Sequence, residues 1–151
     1  MIRIDNIIRG LVANPSVILH SENIFLLSHM RANTSLLSHL LGSHPSIEGY
    51  FEMHIGYYSW KSLYRQKLLY LQEHKLKKNS YYFYDKILHN EHEISDEILT
   101  KKSSKVIIMI REPEQTVSSI VNLYRKVELE HSYSQINGAI EYYINRLQWL
   151  K

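Results

Sequence analysis

The sequence predicts an α/β fold on a parallel sheet, and three observations carry that prediction. Two short, wholly apolar runs, Ile24-Phe25-Leu26-Leu27 and Val106-Ile107-Ile108-Met109-Ile110, have the length of buried strands. Each gives way at once to polar residues and then to apolar residues at helical spacing, the rhythm of an alternating strand–helix chain. No internal repeat, low-complexity tract or linker rich in Gly, Pro or Ser divides the 151 residues, so positions 1–151 read as one domain.

Taken in order, Ile2, Ile4, Ile7, Ile8 and Leu11 fit either a short amphipathic helix or an edge strand. Ile24–Leu27 is the first strand, and Leu36, Leu37, Leu40 and Leu41 then mark a helix that Gly42 stops. Between Tyr57 and Lys78, the residues Trp60, Leu63, Tyr64, Leu68 and Leu71 define the apolar face of a longer helix. Tyr82–Leu88 is the second strand and Ile94–Thr100 a short helix. Val106–Ile110 has the pattern of a central parallel strand covered on both faces. Pro113 opens the next helix at the position where its missing N–H costs nothing, and Val117, Ile120, Val121 and Tyr124 follow at helical spacing. Ile136, Ile140, Tyr143, Leu147 and Leu150 give a last amphipathic helix. It runs into Lys151 with no stop signal, so the chain is expected to be the first part of something longer.

Composition bounds the function. Hydrophobic residues at 44% and charged residues at 22% are globular values and exclude disorder. With no Cys there is no disulfide framework, no thiolate zinc site and no cysteine nucleophile. No apolar run approaches a membrane span, and Met1–Leu11 lacks a signal-peptide apolar region, so a soluble, cytoplasmic chain is expected. The net charge of +3 suits an anionic ligand but is too small for nucleic acid without a basic patch. The densest run, Lys75, Lys77 and Lys78, reads as a helix end where cations complement the dipole. Tyr81-Tyr82-Phe83-Tyr84 reads as a strand rather than a base-stacking platform. Oligomeric state is not legible.

Two segments carry chemistry. Ser28-His29-Met30-Arg31-Ala32-Asn33-Thr34-Ser35 joins a buried strand to a helix start, where free backbone N–H groups and the dipole favour an anion. Arg31 adds a forked cation, and Thr34 and Ser35 add hydroxyls. Asn33 stands where a phosphate loop needs a left-handed backbone, which Asn tolerates best among non-glycine residues. The alternative is that Asn33 and Thr34 merely cap the helix. Asn33-Thr34-Ser35 also matches a glycosylation sequon, an accidental match without a secretory signal. The second segment starts with Arg111, at the carboxyl end of an apolar strand, where α/β sheets bind ligands. Ser119 follows eight residues later on the polar side of the next helix. Here the alternative is a surface Arg paired with Glu112 or Glu114. Two anion-binding turns at one sheet edge suit a ligand with phosphates at both ends.

Residues Ile24 to Leu37, with Leu40-Leu41-Gly42-Ser43-His44-Pro45, resemble the 5′-phosphosulfate loop of sulfotransferases that use 3′-phosphoadenosine 5′-phosphosulfate (PAPS). The familiar form there is Pro-Arg-Ser-Gly-Thr-Thr followed by Leu-Leu and a later His-Pro. Val106–Arg111 with Pro113 and Ser119 resembles the family's 3′-phosphate motif, and the order and separation of the two also match. Met30 stands for the usual Pro, Ala32 for Ser and Asn33 for Gly. The resemblance spans roughly Ile24 to Lys126.

It implies a three-layer, P-loop NTPase-like sulfotransferase fold lacking C-terminal elements. It also implies transfer of a sulfuryl group from PAPS to a hydroxyl or amine of a small molecule or glycan, with no metal. Arg31 and the loop Ala32-Asn33-Thr34-Ser35 would hold the 5′-phosphosulfate, and Arg111 and Ser119 the 3′-phosphate. Glu52 or His54, in the segment after the first helix, would be the general base, and Lys86 would contact donor or acceptor. For these three, solvated loop residues and a strand-end salt bridge are the alternatives. His89 and His92 match no metal-ligand spacing and are read as structural or surface residues. A non-catalytic 3′-phosphoadenosine-binding module is the competing function, and the missing Gly-Lys-Ser/Thr argues against a kinase of the P-loop class.

Overall fold

The computed structural model describes residues 4–13, 15–49 and 51–151. Among them, helices α1 (Ile4–Ala13) and α2 (Pro15–His20) precede strand β1 (Glu22–Ser28), helix α3 (Thr34–Ser43) and strand β2 (Ile47–Glu48). Helix α4 (Trp60–Glu73), strand β3 (Tyr82–Ile87), helix α5 (Asp96–Leu99) and strand β4 (Ser104–Met109) follow. Helix α6 (Pro113–Val127), a single 3-10 turn (Ser132–Ser134) and helix α7 (Ile136–Trp149) complete the order. All strand pairings are parallel, in the order β2-β3-β1-β4. The class is therefore α/β with a four-stranded parallel sheet, as the alternation predicts.

β1 lies between two partners, and six of its seven residues are buried. Alternate side chains enter different cores. Phe25 and Leu27 join Ile87 beneath Leu63 of α4 and Ile98 of α5, while Ile24 and Leu26 join Tyr84 beneath Leu37 and Leu41 of α3. A third cluster, beyond the carboxyl ends of the strands, packs Met30 against Ile120 and Val121 of α6 and Ala139, Tyr142 and Tyr143 of α7.

Several expectations change. β4 is an edge strand, not a central one, because only β1 borders it. Val106, Ile108 and Ile110 are 41%, 55% and 56% exposed; a run of apolar residues records that a strand can be buried, not that it is. The face of α4 is also rotated: Leu63, Gln66, Lys67, Tyr70 and Leu71 are buried, whereas Trp60, Tyr64 and Leu68 face outward. In α7, Tyr143 is buried as expected, but Ile136 and Ile140 are exposed, and Ala139, Tyr142 and Arg146 turn inward. The N-terminal segment is helical from Ile4; Ile2, like Tyr50, lies outside the described residues. Gly42 falls inside α3, which continues to Ser43.

α4 ends at Glu73, so Lys77 does not serve its terminus. Its ammonium instead donates to the carbonyls of Gly42 (2.5 Å), His44 (3.0 Å) and Ile47 (2.5 Å), capping the end of α3 and the start of β2. Beside it the fully buried Glu48 carboxylate accepts from the Tyr70 hydroxyl (2.7 Å), the Lys77 N–H (2.5 Å) and Ser80 Oγ. Gly49 follows with φ 86°, a conformation that side chains resist, and its Cα faces the Tyr84 carbonyl too closely for a Cβ. This turn redirects the chain from β2 towards the sheet's carboxyl edge.

Candidate functional site

Two turns meet at the carboxyl ends of β1 and β4. In the first, Arg31 (φ 63°) and Asn33 (φ 62°, ψ 20°) are both left-handed. Two such residues in one short turn cost energy that the surrounding contacts must repay, a pattern concentrated at functional loops. The Asn33 side chain makes no capping hydrogen bond to α3, so the helix-cap alternative is not what the fold uses. The start of α3 borders a cavity of about 380 Å³ lined by Arg31, Asn33, Thr34, Ser35, Glu52, Lys86 and His89, among others. Ala32 is buried and does not line either cavity of the site.

In the second turn Arg111 does not pair with Glu112 or Glu114. Its Nε and Nη2 donate to Gln115 Oε1 (3.2 and 2.6 Å), and Nη1 donates to the Arg31 carbonyl (3.1 Å). Arg31 Nε in turn donates to Ser119 Oγ (2.9 Å). Arg31, Arg111, Ser119, Gln115, Asn122 and Lys126 line a second cavity of about 490 Å³, and Arg31 and Leu123 border both cavities. The two turns thus form one continuous site. Lys126 and Asn122 escaped sequence reading although they continue the Ser119 face of α6 by helical spacing (i+7 and i+3).

On the other side of the first cavity, Lys86 Nζ lies 3.3 Å from Glu52 Oε1, and both side chains are largely shielded from solvent. The expected salt bridge is present, and it sits inside the cavity rather than on an outer strand end. His54 parts from Glu52: left-handed (φ 52°) and exposed, its Nδ1 approaches His92 Nε2 at 3.3 Å and Glu52 Oε2 only at 3.9 Å. Of the two expected bases, Glu52 lines the cavity, while His54 sits at its margin. Among the described residues no group of three metal-type ligands forms, His89 and His92 included.

Asp85 holds the Glu52 segment in place. Its buried carboxylate accepts from the Tyr57 hydroxyl (2.6 Å), the Met53 N–H (3.0 Å) and its neighbour Lys86 N–H (2.8 Å). Burial raises its pKa to about 7, outweighing those three donors, which favour the charged form. Sequence reading missed this role, because an Asp beside a Lys at a strand end carries no signal of what folds over it.

The part that α7 plays at the site was also unforeseen, although the helix itself was expected. Tyr142 Oη accepts from the Met30 N–H (2.8 Å) and donates to the Leu88 carbonyl (3.0 Å), and Tyr143 Oη donates to the Arg111 carbonyl (2.8 Å). Arg146, fully buried, donates to the carbonyls of Ser28 (2.7 Å) and Ile87 (2.5 Å) and to Asn90 Oδ1 (2.8 Å), with its guanidinium 4.0 Å from the Trp149 ring centre. Burial lowers its pKa to about 10, which still leaves it a cation at neutral pH. One helix thus fastens the exits of β1, β3 and β4 and keeps a buried positive charge behind the first turn.

Among the described residues no helix is long and apolar enough to cross a membrane. Compared with protein-family models, with curated proteins and with solved structures, the chain matches none.

Proposed function

We propose that the chain is a PAPS-dependent sulfotransferase domain of the P-loop NTPase-like, three-layer type. The observation that carries this reading is the junction of the two turns: Arg111 on the Arg31 carbonyl and Arg31 on Ser119. The cations of two separate motifs line adjoining cavities that share Arg31 and Leu123, a lining that suits a ligand charged at both ends.

In this reading the 5′-phosphosulfate lies over the first turn, against Arg31 and the N–H groups of Asn33, Thr34 and Ser35 at the start of α3. The 3′-phosphate lies between Arg111, Ser119 and Lys126. The acceptor enters beside Glu52 and Lys86, bounded by the apolar Leu36, Leu88 and Leu123. Its hydroxyl or amine attacks sulfur in line with the bridging oxygen. As the new O–S or N–S bond forms, the proton passes to Glu52 and the S–O bond to the 5′-phosphate breaks. Arg31 and the turn amides meet the charge that builds on the departing phosphate, and adenosine 3′,5′-bisphosphate leaves. Asp85 and Lys86 hold Glu52 towards the reacting atoms.

Labelled PAPS with a panel of hydroxyl and amine acceptors tests the reading. Transfer that falls by about 10²–10⁴ in Glu52→Gln, with nucleotide affinity intact, is the expected result. Nucleotide binding without transfer by the wild type supports the non-catalytic module instead. Absence of nucleotide binding overturns both.

A further inference from the structure

The fully buried His29 lies where the two turns touch, and both ring nitrogens are engaged. Nδ1 is 2.8 Å from the Met30 carbonyl, which can only accept, so Nδ1 carries the proton. Nε2 therefore presents a lone pair, and the Arg111 N–H donates to it at 3.0 Å. The ring packs edge-on against Tyr143 at 5.0 Å, the residue whose hydroxyl holds the Arg111 carbonyl. Both backbone polar groups of Arg111 are thus held, one from the first turn and one from α7.

We propose that His29 is the positioning residue that sets Arg111 for its anion, and that adding a proton to Nε2 uncouples the two turns. The identity of the anion rests on the reading above; the link between the turns does not. A protonated Nε2 would meet the Arg111 N–H donor to donor in a buried space, and one of the two must withdraw. The groups facing the ring are Tyr143 and Arg146 from α7 and Arg111 from the second turn. Burial, with the two cations, keeps the imidazole below its ordinary value, so the neutral form that the geometry requires is the one present at neutral pH. Only that form has Arg111 in place, so apparent anion affinity scales with its population.

Nuclear magnetic resonance on the free wild-type protein reads the link without a ligand or a variant. The His29 ring and the Arg111 amide are expected to titrate with one midpoint below about 6.5, and the ring nitrogen shifts to show the Nδ1–H tautomer at neutral pH. An Arg111 amide that ignores the ring, or a proton on Nε2 at neutral pH, overturns the proposal. Calorimetry with adenosine 3′,5′-bisphosphate then compares wild type with His29→Gln, which keeps an acceptor and loses the titration. One pH unit below the midpoint, wild-type affinity is expected to drop about tenfold more than that of the variant. The ligand's own phosphates titrate equally in both. Parallel profiles overturn the proposal, whereas no binding by either protein at any pH overturns the nucleotide reading and leaves the decision to the amide titration.

Discussion

β1 and β4 carry apolar runs of the same character, and each ends in a turn bearing an arginine, Arg31 or Arg111, yet they are built in opposite ways. β1 is paired on both edges and covered on both faces, and its turn is held by its own left-handed residues and by Tyr142. β4 has one neighbour and an exposed apolar face, and its turn is held by borrowed groups: His29, Tyr143 and the Arg31 carbonyl. The first half of the site is framework; the second is organised through the first.

The comparison breaks most visibly in the strands themselves. Leu26→Ala should lower unfolding free energy by about 2–5 kcal/mol, because it opens a cavity in a fully buried position. Ile108→Ala should change it by no more than about 0.5 kcal/mol, since the side chain is already over half exposed. Equal losses in urea titrations would show β4 to be as buried as β1. Next in size is Arg111→Ala, expected to weaken adenosine 3′,5′-bisphosphate by about 2–4 kcal/mol in calorimetry while leaving stability almost unchanged. Tyr143→Phe tests the borrowed support directly. Losing its hydrogen bond to the Arg111 carbonyl should weaken the same nucleotide by about 1 kcal/mol. The first turn is sharpened by Asn33→Ala, which should cost about 1–2 kcal/mol of stability at φ 62°, against little or nothing for Asn33→Gly.

Asp85 adds a pH signature to the segment that carries Glu52. Its folded pKa of about 7 lies above the ordinary carboxyl value near 4, so the folded state holds its proton longer than the unfolded chain. Its contribution is full below about pH 4 and is lost as pH rises through 7. Wild type should therefore lose stability relative to Asp85→Asn across that interval, as read by thermal unfolding at a series of pH values. A difference that is flat with pH would show an ordinary, solvated carboxylate.

What could be read from the chain follows the same division. Arg31, Asn33, Arg111 and Ser119 were legible because local backbone geometry and fixed spacing carry their meaning: an Asn tolerates the left-handed turn, and a residue eight beyond Arg111 returns along α6. The edge position of β4 was not legible, because Val106–Ile110 reads alike whether one or two strands flank it. Nor were His29, Asp85, Tyr143 and Arg146, since each acts through a partner between 28 and 118 residues away. An amphipathic pattern places Ile136 and Ile140 inward. The fold keeps Tyr143 inward, as the pattern has it, but turns Tyr142 and Arg146 inward in place of the two isoleucines, because strand-end carbonyls and N–H groups buried there need partners.

The central claim is that one nucleotide is gripped at both ends by turns that touch. Calorimetric titration with adenosine 3′,5′-bisphosphate, 5′-AMP and 3′-AMP measures it most directly. The account predicts that removing either phosphate weakens binding at least tenfold, and that Arg111→Ala erases the advantage of the bisphosphate over 5′-AMP. Equal affinity for bisphosphate and 5′-AMP in the wild type would contradict it.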